Sequence, residues 1–124
     1  MSDLYQEIIL ETIKNPSNQG TLEDVEPIHE RNASCGDEVT VFLKVGAYGK
    51  IEDVKWQGEG CAISMASMSL LSDKIIDEGL SIADVEQLSQ EDLVEMLGLE
   101  QISPGRIKCL HLGKKAVSHA GDTL

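Results

Sequence analysis

Apolar residues near the start of the chain repeat with the period of an amphipathic helix. The positions that share one face are Leu4, Ile8, Ile9 and Ile13. Ser2 is placed to cap the first turn of this helix. We expect the helix to end before Pro16, because proline blocks helix continuation and the segment 15–20 is rich in turn-forming residues.

Strict alternation of apolar and other residues follows in the middle of the chain. Val39, Val41, Leu43 and Val45 alternate with Thr40, Phe42 and Lys44, a pattern with the period of a β-strand and many β-branched residues. After a turn over 46–49, a partner strand over 51–57 is predicted. So short a loop permits only antiparallel pairing. The polar stretch 21–38 is expected to be irregular, with a short third strand around Ile28.

The second half of the chain is patterned for helices. A long helix over 62–78 has an apolar stripe formed by Met65, Met68, Leu71 and Ile75, and Gly79 closes it. Capping-box patterns at 81–84 and 89–92 predict two short helices ending near Leu88 and Leu97. Ser103 and Pro104 predict the start of a last helix reaching about Ala120. The order predicts an α+β fold in which a small antiparallel sheet of about three strands packs against several helices, as one domain over 1–124.

Composition limits the class of partner. The chain has 124 residues and a net charge of −12, so its electrostatic field repels phosphate backbones and we expect no nucleic-acid partner. The acidity has two explanations: solubility, or an acidic face that docks on a basic protein. No stretch is long and apolar enough for a membrane span, and no signal peptide is evident. Three widely spaced cysteines favour a reducing compartment, so we expect a cytoplasmic protein without a membrane partner.

Four side chains carry the candidate chemistry: Cys35, Asp37, Cys61 and Cys109. Cys35 and Asp37 precede the first clear strand in a loop, while Cys61 opens a helix directly after the hairpin, so the two ends can converge. Three thiolates and one carboxylate suit tetrahedral zinc and can also hold iron. The alternative is that the cysteines are buried small hydrophobic residues and that Asp37 merely caps a turn.

Other polar side chains have weaker claims. Arg106 and Lys108 flank Cys109 and are either thiolate-stabilising charges or solvated ones. His111 is expected to be a surface or packing residue, and His119 to do no more than lie near the helix C-terminus. Ser64, Ser67, Ser69 and Ser72 are expected chiefly to allow close packing.

The motifs together resemble the U-type iron–sulfur cluster assembly proteins, the family of IscU, SufU and the N-terminal part of NifU. The segments that carry the resemblance are 15–20 (NPSNQG), 34–37 (SCGD), 58–67 (GEGCAISMAS) and 106–109 (RIKC). The resemblance implies that Cys35, Asp37, Cys61 and Cys109 gather at one end of the fold. It also implies two kinds of partner, a cysteine desulfurase and apo-proteins that accept clusters.

The resemblance leaves two functions open. In scaffold members the site assembles a transient [2Fe–2S] cluster from iron and sulfur, whereas in SufU members it holds Zn²⁺ and a cysteine matching Cys35 accepts sulfur. The segment 58–67 and Lys108, where IscU proteins have His, resemble SufU, but the SufU insertion between the second and third cysteines is absent. IscU-like chemistry would make Cys109 the first sulfur acceptor. A purely structural zinc site is disfavoured by Asp37, because structural sites mostly use Cys and His. A homo-oligomer is neither required nor excluded by the sequence.

Overall fold

A computed structural model describes residues 3–33 and 36–122 of the chain. It has the predicted α+β architecture, with a three-stranded antiparallel sheet and five α-helices. The helices are α1 (Asp3–Lys14), α2 (Ala62–Glu78), α3 (Ile82–Glu86), α4 (Gln90–Met96) and α5 (Ile107–Asp122). The strands are β1 (Ile28–Asn32), β2 (Asp37–Val45) and β3 (Ile51–Glu59). Within the described residues, no helix is long and apolar enough to cross a membrane.

The sheet has the order β1-β2-β3, with both neighbouring pairs antiparallel. The short strand expected around Ile28 is β1, and the hairpin predicted from the alternation is β2 with β3. β2 begins earlier than the alternation indicated, because Asp37 pairs with Asn32 of β1. Asp37 is therefore the first residue of a strand, which corrects its expected position in a loop.

Two apolar clusters fill the space between the sheet and the helices. The larger joins β2 and β3 to α2, α3 and α5, with Trp56 and Met68 fully buried at its centre. The smaller joins α1 and α4 to α2 and α5 around Leu93 and Leu110. Burial of one such side chain contributes roughly 1.5–3 kcal/mol, so these contacts hold α2 and α5 firmly against the sheet.

The helix boundaries follow local signals. Ser81 and Ser89 each form the reciprocal capping box that the sequence predicts, with Asp84 and Asp92 respectively. Gly79 ends α2 in the left-handed conformation (φ 64°), which costs glycine little. The predicted cap at Ser103 is wrong in detail: a 3₁₀ turn over Pro104–Arg106 comes first, Ser103 makes no side-chain cap, and α5 begins at Ile107.

Candidate metal centre

Asp37 and Cys61 come together because they lie at the same end of the β2–β3 pair. Glu38 pairs with Glu59 in the antiparallel register, so the first residue of β2 lies beside the residues that follow β3. Gly60 lies in close contact with Asp37: a Cβ atom on Gly60 would lie 2.8 Å from Cγ of Asp37. Only glycine fits this close approach without displacing the carboxylate.

Cys61 is the N-cap residue of α2, and its backbone links it to Asp37. The amide N–H of Cys61 donates a hydrogen bond of 3.2 Å to Oδ1 of Asp37. The Cys61 side chain is half-buried and makes no capping hydrogen bond. Its sulfur is therefore held at the positive end of a seventeen-residue helix, where anionic ligands are favoured.

Cys109 reaches the same place from α5, which packs on β1, β2 and α2. Its side chain is 1% exposed. The Nδ2 amide of Asn32, the last residue of β1, lies 4.0 Å from Sγ of Cys109 as a weak donor. α5 thus presents the thiol inward, towards the end of the sheet where Asp37 lies.

The three predicted residues that the structure describes converge. One carboxylate oxygen of Asp37 and the Sγ atoms of Cys61 and Cys109 all lie within 4.8 Å of one another. Cys35 falls outside the described residues, so its place in this group stays a prediction.

A buried hydrogen-bond network holds the Asp37 carboxylate. Asp37 is 4% exposed, and its Oδ2 accepts a hydrogen bond of 2.5 Å from the hydroxyl of Ser64 on α2. The same hydroxyl lies 3.6 Å from Sγ of Cys61. The expectation that Ser64 serves chiefly for packing was incomplete, because this serine joins the carboxylate to a thiol. Since a Ser64–Asp37 contact requires the fold, spacing in the sequence gave no signal for it.

The other serines of α2 also make hydrogen bonds. Ser69 accepts from the backbone N–H of Ser17, and Ser72 accepts from the side-chain amide of Asn18. The motif 15–20 is therefore fastened to α2 and, through its contact with Trp56, to β3. The turn-rich segment 15–20 thus connects α2 and β3, the two elements that flank Cys61.

Arg106 interacts electrostatically with the sulfur atoms of Cys61 and Cys109. The charge of the Cys61 thiolate, and next a hydrogen bond with Cys109, raise the pKa of Arg106 above its ordinary value. This contact favours the first of the two roles considered for Arg106. Lys108 lines a different cavity, on the side of α5 that faces β1.

The histidines lie outside the sulfur–carboxylate group. His111 is partly buried, and desolvation followed by the charge of Lys114 lowers its pKa. His119 does more than was expected: its Nδ1 lies 2.6 Å from Oε2 of Glu30, which joins α5 to β1. His29 lies on β1, with Nδ1 2.8 Å from the Thr40 hydroxyl.

Comparison with known proteins shows which proteins this chain is similar to. Residues 4–122 match the family described as NifU-like N terminal domain. The chain is 34% identical to the zinc-dependent sulfurtransferase SufU of Bacillus subtilis, over 94% of this chain and 88% of that protein. It is also 34% identical to the iron–sulfur cluster assembly scaffold protein IscU of Thermotoga maritima, over 94% of this chain and 92% of that one.

A solved structure has the same fold. The protein comes from Fervidobacterium islandicum and is described as a candidate iron–sulfur cluster assembly scaffold for the SUF system. It superposes with a TM-score of 0.73 at 28% identity, covering 96% of this chain and 98% of that one. The fold and the relatives agree with the resemblance carried by the motifs.

Proposed function

The chain belongs to the NifU-like N-terminal domain family, and on that premise we propose that it is a scaffold for iron–sulfur cluster assembly. It receives sulfur from a cysteine desulfurase, binds iron, and holds a transient [2Fe–2S] cluster for transfer to apo-proteins. The observation that carries the proposal is the convergence of Asp37, Cys61 and Cys109 from three separate elements to within 4.8 Å. On this proposal residues 1–124 act as one domain in the cytoplasm, as the sequence predicts.

The donor set fits the proposed cargo. Two metal–ligand bonds of about 2.3 Å span at most about 4.6 Å, so a small side-chain movement brings these atoms into reach of one ion. Soft thiolate ligands suit both iron–sulfur clusters and zinc, whereas a carboxylate is a hard oxygen ligand that suits them less well. Cys35, Cys61 and Cys109 would thus supply the firm ligands and Asp37 the exchangeable one. An exchangeable ligand suits a site that must release what it assembles.

Sulfur must enter through an accessible thiol. Cys109 is 1% exposed, so a partner's persulfide cannot approach its sulfur without movement of the chain around it. The burial of Cys109 disfavours it as the first acceptor, and the resemblance to SufU members assigns that role to Cys35, with Cys109 as the alternative. The Cys35 thiolate would attack the outer sulfur of the donor persulfide, forming a new S–S bond while the donor cysteine leaves as its thiolate. Reduction of that sulfur to sulfide then needs an external electron donor.

Anaerobic reconstitution tests the scaffold function. The chain is incubated with ferrous iron, cysteine, a desulfurase and a thiol reductant, and its visible absorbance and iron and sulfide contents are measured. We expect a bound cluster that an apo-ferredoxin removes. Protein that retains one equivalent of zinc and takes up no iron would rule out the scaffold.

A zinc-dependent sulfurtransferase is the second candidate. It is favoured by Lys108 in the position before Cys109, by the segment 58–67, and by the 34% identity to the Bacillus protein. The same four residues would hold Zn²⁺, which would keep the thiols deprotonated and ordered. Cys35 would again accept the sulfur and pass it to a reductant or acceptor, without a cluster being built.

One variant tests the role of Cys35 that both candidate functions share. Cys35→Ser should abolish stimulation of the desulfurase if sulfur passes through Cys35, and zinc content measured alongside separates loss of the acceptor from loss of the metal. Stimulation that is unchanged in this variant excludes Cys35 as the acceptor. Metal analysis of protein purified without air decides which ion the chain carries.

A further inference from the structure

The charge of the chain changes sign along its last helix. Residues 101–121 contain Arg106, Lys108, Lys114 and Lys115 and no aspartate or glutamate. All 22 acidic residues lie elsewhere, together with only six lysines and arginines. A basic element in so acidic a protein is a local reversal of the field that the net charge of −12 produces.

Part of this charge gathers at one cavity beside the metal centre. Lys108, His111 and Lys115 are spaced to share one face of α5, and they meet Arg31 of β1 across a cavity of about 320 Å³. The remaining lining residues are Asn32, Ala33 and Leu112. Arg31, Lys108 and Lys115 are exposed, so their charges are presented to solvent. We call Arg31, Lys108, His111 and Lys115 the basic cleft.

The neighbouring basic residue of α5 has another role. Nζ of Lys114 donates a hydrogen bond of 2.6 Å to the carbonyl oxygen of Leu88, so Lys114 fastens α5 to the segment after α3. Lys114 is also absent from the cavity lining. Lys114 is therefore not part of the basic cleft.

Two acidic residues, Glu30 and Glu38, lie near the basic cleft. Glu30, whose side chain is 9% exposed, lies 3.6 Å from Nζ of Lys115 and 2.6 Å from His119. Glu38 stands opposite Arg31 in the β1–β2 register. Because the Glu30 side chain is largely covered and that of Lys115 is 62% exposed, an incoming anion meets the Lys115 ammonium group before it meets this carboxylate.

The basic cleft adjoins the metal centre directly. Asn32 lines the cavity, and its amide lies 4.0 Å from Sγ of Cys109. Lys108 precedes Cys109 in the chain. A partner bound in the cleft would therefore lie next to the thiols.

We propose that the basic cleft binds an acidic segment of a protein that exchanges sulfur or clusters with the neighbouring site. The identity of the partner rests on the proposed function, whereas the chemistry of the segment, a short run of carboxylates, rests on the cleft itself. An extended phosphate backbone or an anionic lipid surface would also meet the acidic remainder of the chain and be repelled. A short acidic segment can contact the residues of the basic cleft without contacting the acidic remainder of the chain.

A binding experiment tests the chemistry of the occupant. The full chain, labelled with ¹⁵N, is titrated with an oligoglutamate peptide, with inorganic phosphate, and with vesicles of phosphatidylcholine and phosphatidylserine. We expect the peptide to shift the amide signals of Arg31, Asn32, Lys108 and His111, and to bind more weakly as salt rises. Binding of phosphate or vesicles as tight as that of the peptide, or shifts spread equally over Lys44 and Lys50, would overturn the proposal.

Matched variants locate the interaction. Arg31→Gln combined with Lys115→Gln should weaken peptide binding roughly tenfold, since two surface ion pairs with the peptide are lost. Lys44→Gln combined with Lys50→Gln removes the same charge at the opposite end of the β2–β3 hairpin and should leave binding unchanged. Arg31→Gln alone, at an exposed position, provides a second measurement in case the double variant misfolds. Undiminished peptide binding in both cleft variants contradicts the proposal.

Desulfurase kinetics test the link to the metal centre. The double cleft variant should raise the KM for this chain in desulfurase stimulation about tenfold and leave kcat unchanged, with the same cobalt(II) spectrum as the wild-type protein. A lower kcat with an altered cobalt spectrum would assign these residues to the metal centre instead and overturn the docking role. If the wild-type chain neither binds metal nor stimulates the desulfurase, the proposed function fails, and the peptide titration still decides the cleft.

Discussion

The hydroxyl of Ser64 donates a 2.5 Å hydrogen bond to Oδ2 of Asp37, and this contact joins the start of α2 to the start of β2. Both residues are buried. The other carboxylate oxygen accepts from the backbone N–H of Cys61, so each oxygen of Asp37 has a donor. A carboxylate with two donors is held in one orientation, so in the proposed metal centre Asp37 would be a positioned ligand and not a freely rotating one.

Replacement of Ser64 should reveal this contact in the metal-free chain. Ser64→Ala removes a hydroxyl that donates to a buried carboxylate oxygen, which should lower the free energy of unfolding by about 1–3 kcal/mol. Zinc should recover part of the loss, because a metal ion takes the place of the missing donor. Denaturant unfolding with and without zinc measures both effects.

Ser67→Ala is the matched control for that experiment. The Ser67 hydroxyl is buried on the same helix, but it donates to the backbone carbonyl of Ser64. Loss of this hydroxyl should lower the free energy of unfolding by less, about 1 kcal/mol, and zinc should not recover that loss. Equal losses in the two variants, with equal recovery by zinc, would show that Ser64 has no special relation to the carboxylate.

Asp37→Ala should change how long the proposed cluster stays on the chain. The carboxylate is the hardest ligand of the set and the one that exchanges most readily. Without it, we expect the reconstituted cluster to pass more slowly to an apo-ferredoxin, which the visible spectrum of each protein follows after separation. Asp73→Ala, which alters a carboxylate that accepts from Asn18, is the control. A transfer rate equal to that of the wild-type protein would make Asp37 irrelevant to release.

The stability of the chain should fall below neutral pH in part through His111. Burial first, and the charge of Lys114 next, lower the pKa of His111 below its ordinary value of about 6.5. The unfolded chain therefore binds more protons than the folded one as pH falls from 6.5 towards the lowered pKa. His111 therefore does not change the free energy of unfolding above about pH 6.5, and it lowers that free energy as pH falls from 6.5 towards its lowered pKa.

His111→Gln tests the sign of that effect. The free energy of unfolding of the wild-type protein should decrease more steeply with falling pH than that of the variant, between about pH 6.5 and the lowered pKa. Denaturant unfolding over a pH series provides the slopes. His29→Gln, at an exposed histidine of β1, controls for the removal of any imidazole. A wild-type slope that matches the His111 variant would contradict the assignment.

Much of the fold could be predicted because its signals are local. Alternation over Val39–Val45 and the capping serines act within a few residues of one another, and both predictions are confirmed. The earlier start of β2 could not be predicted, because it depends on Asn32 of a different strand. The family resemblance predicted the convergence of Asp37, Cys61 and Cys109, which spacing alone left open.

The supporting contacts of the site were not predictable for the same reason. Ser64 and Asp37 are separated by 27 residues, and their hydrogen bond exists only after the hairpin and α2 have packed together. The contact between Nδ1 of His119 and the Glu30 carboxylate likewise needs α5 to lie on β1. Residue type and spacing identify side chains able to bind a metal, but the polar groups that orient them are selected by tertiary packing.

Gly60 provides a steric test of the proposed metal centre in which every proposed ligand residue is retained. A methyl group on Gly60 would lie 2.8 Å from Cγ and 2.9 Å from Oδ1 of Asp37, so the buried carboxylate must shift. Gly60→Ala should therefore weaken metal binding about tenfold or more while Cys61 and Cys109 remain. Cobalt(II) titration reports this directly, since its thiolate charge-transfer bands should persist with an altered affinity. Gly105→Ala is the matched control, because a Cβ atom at Gly105 meets nothing within 4 Å. Cobalt affinities that agree in both glycine variants and the wild-type protein would show that the position of the Asp37 carboxylate does not govern metal binding.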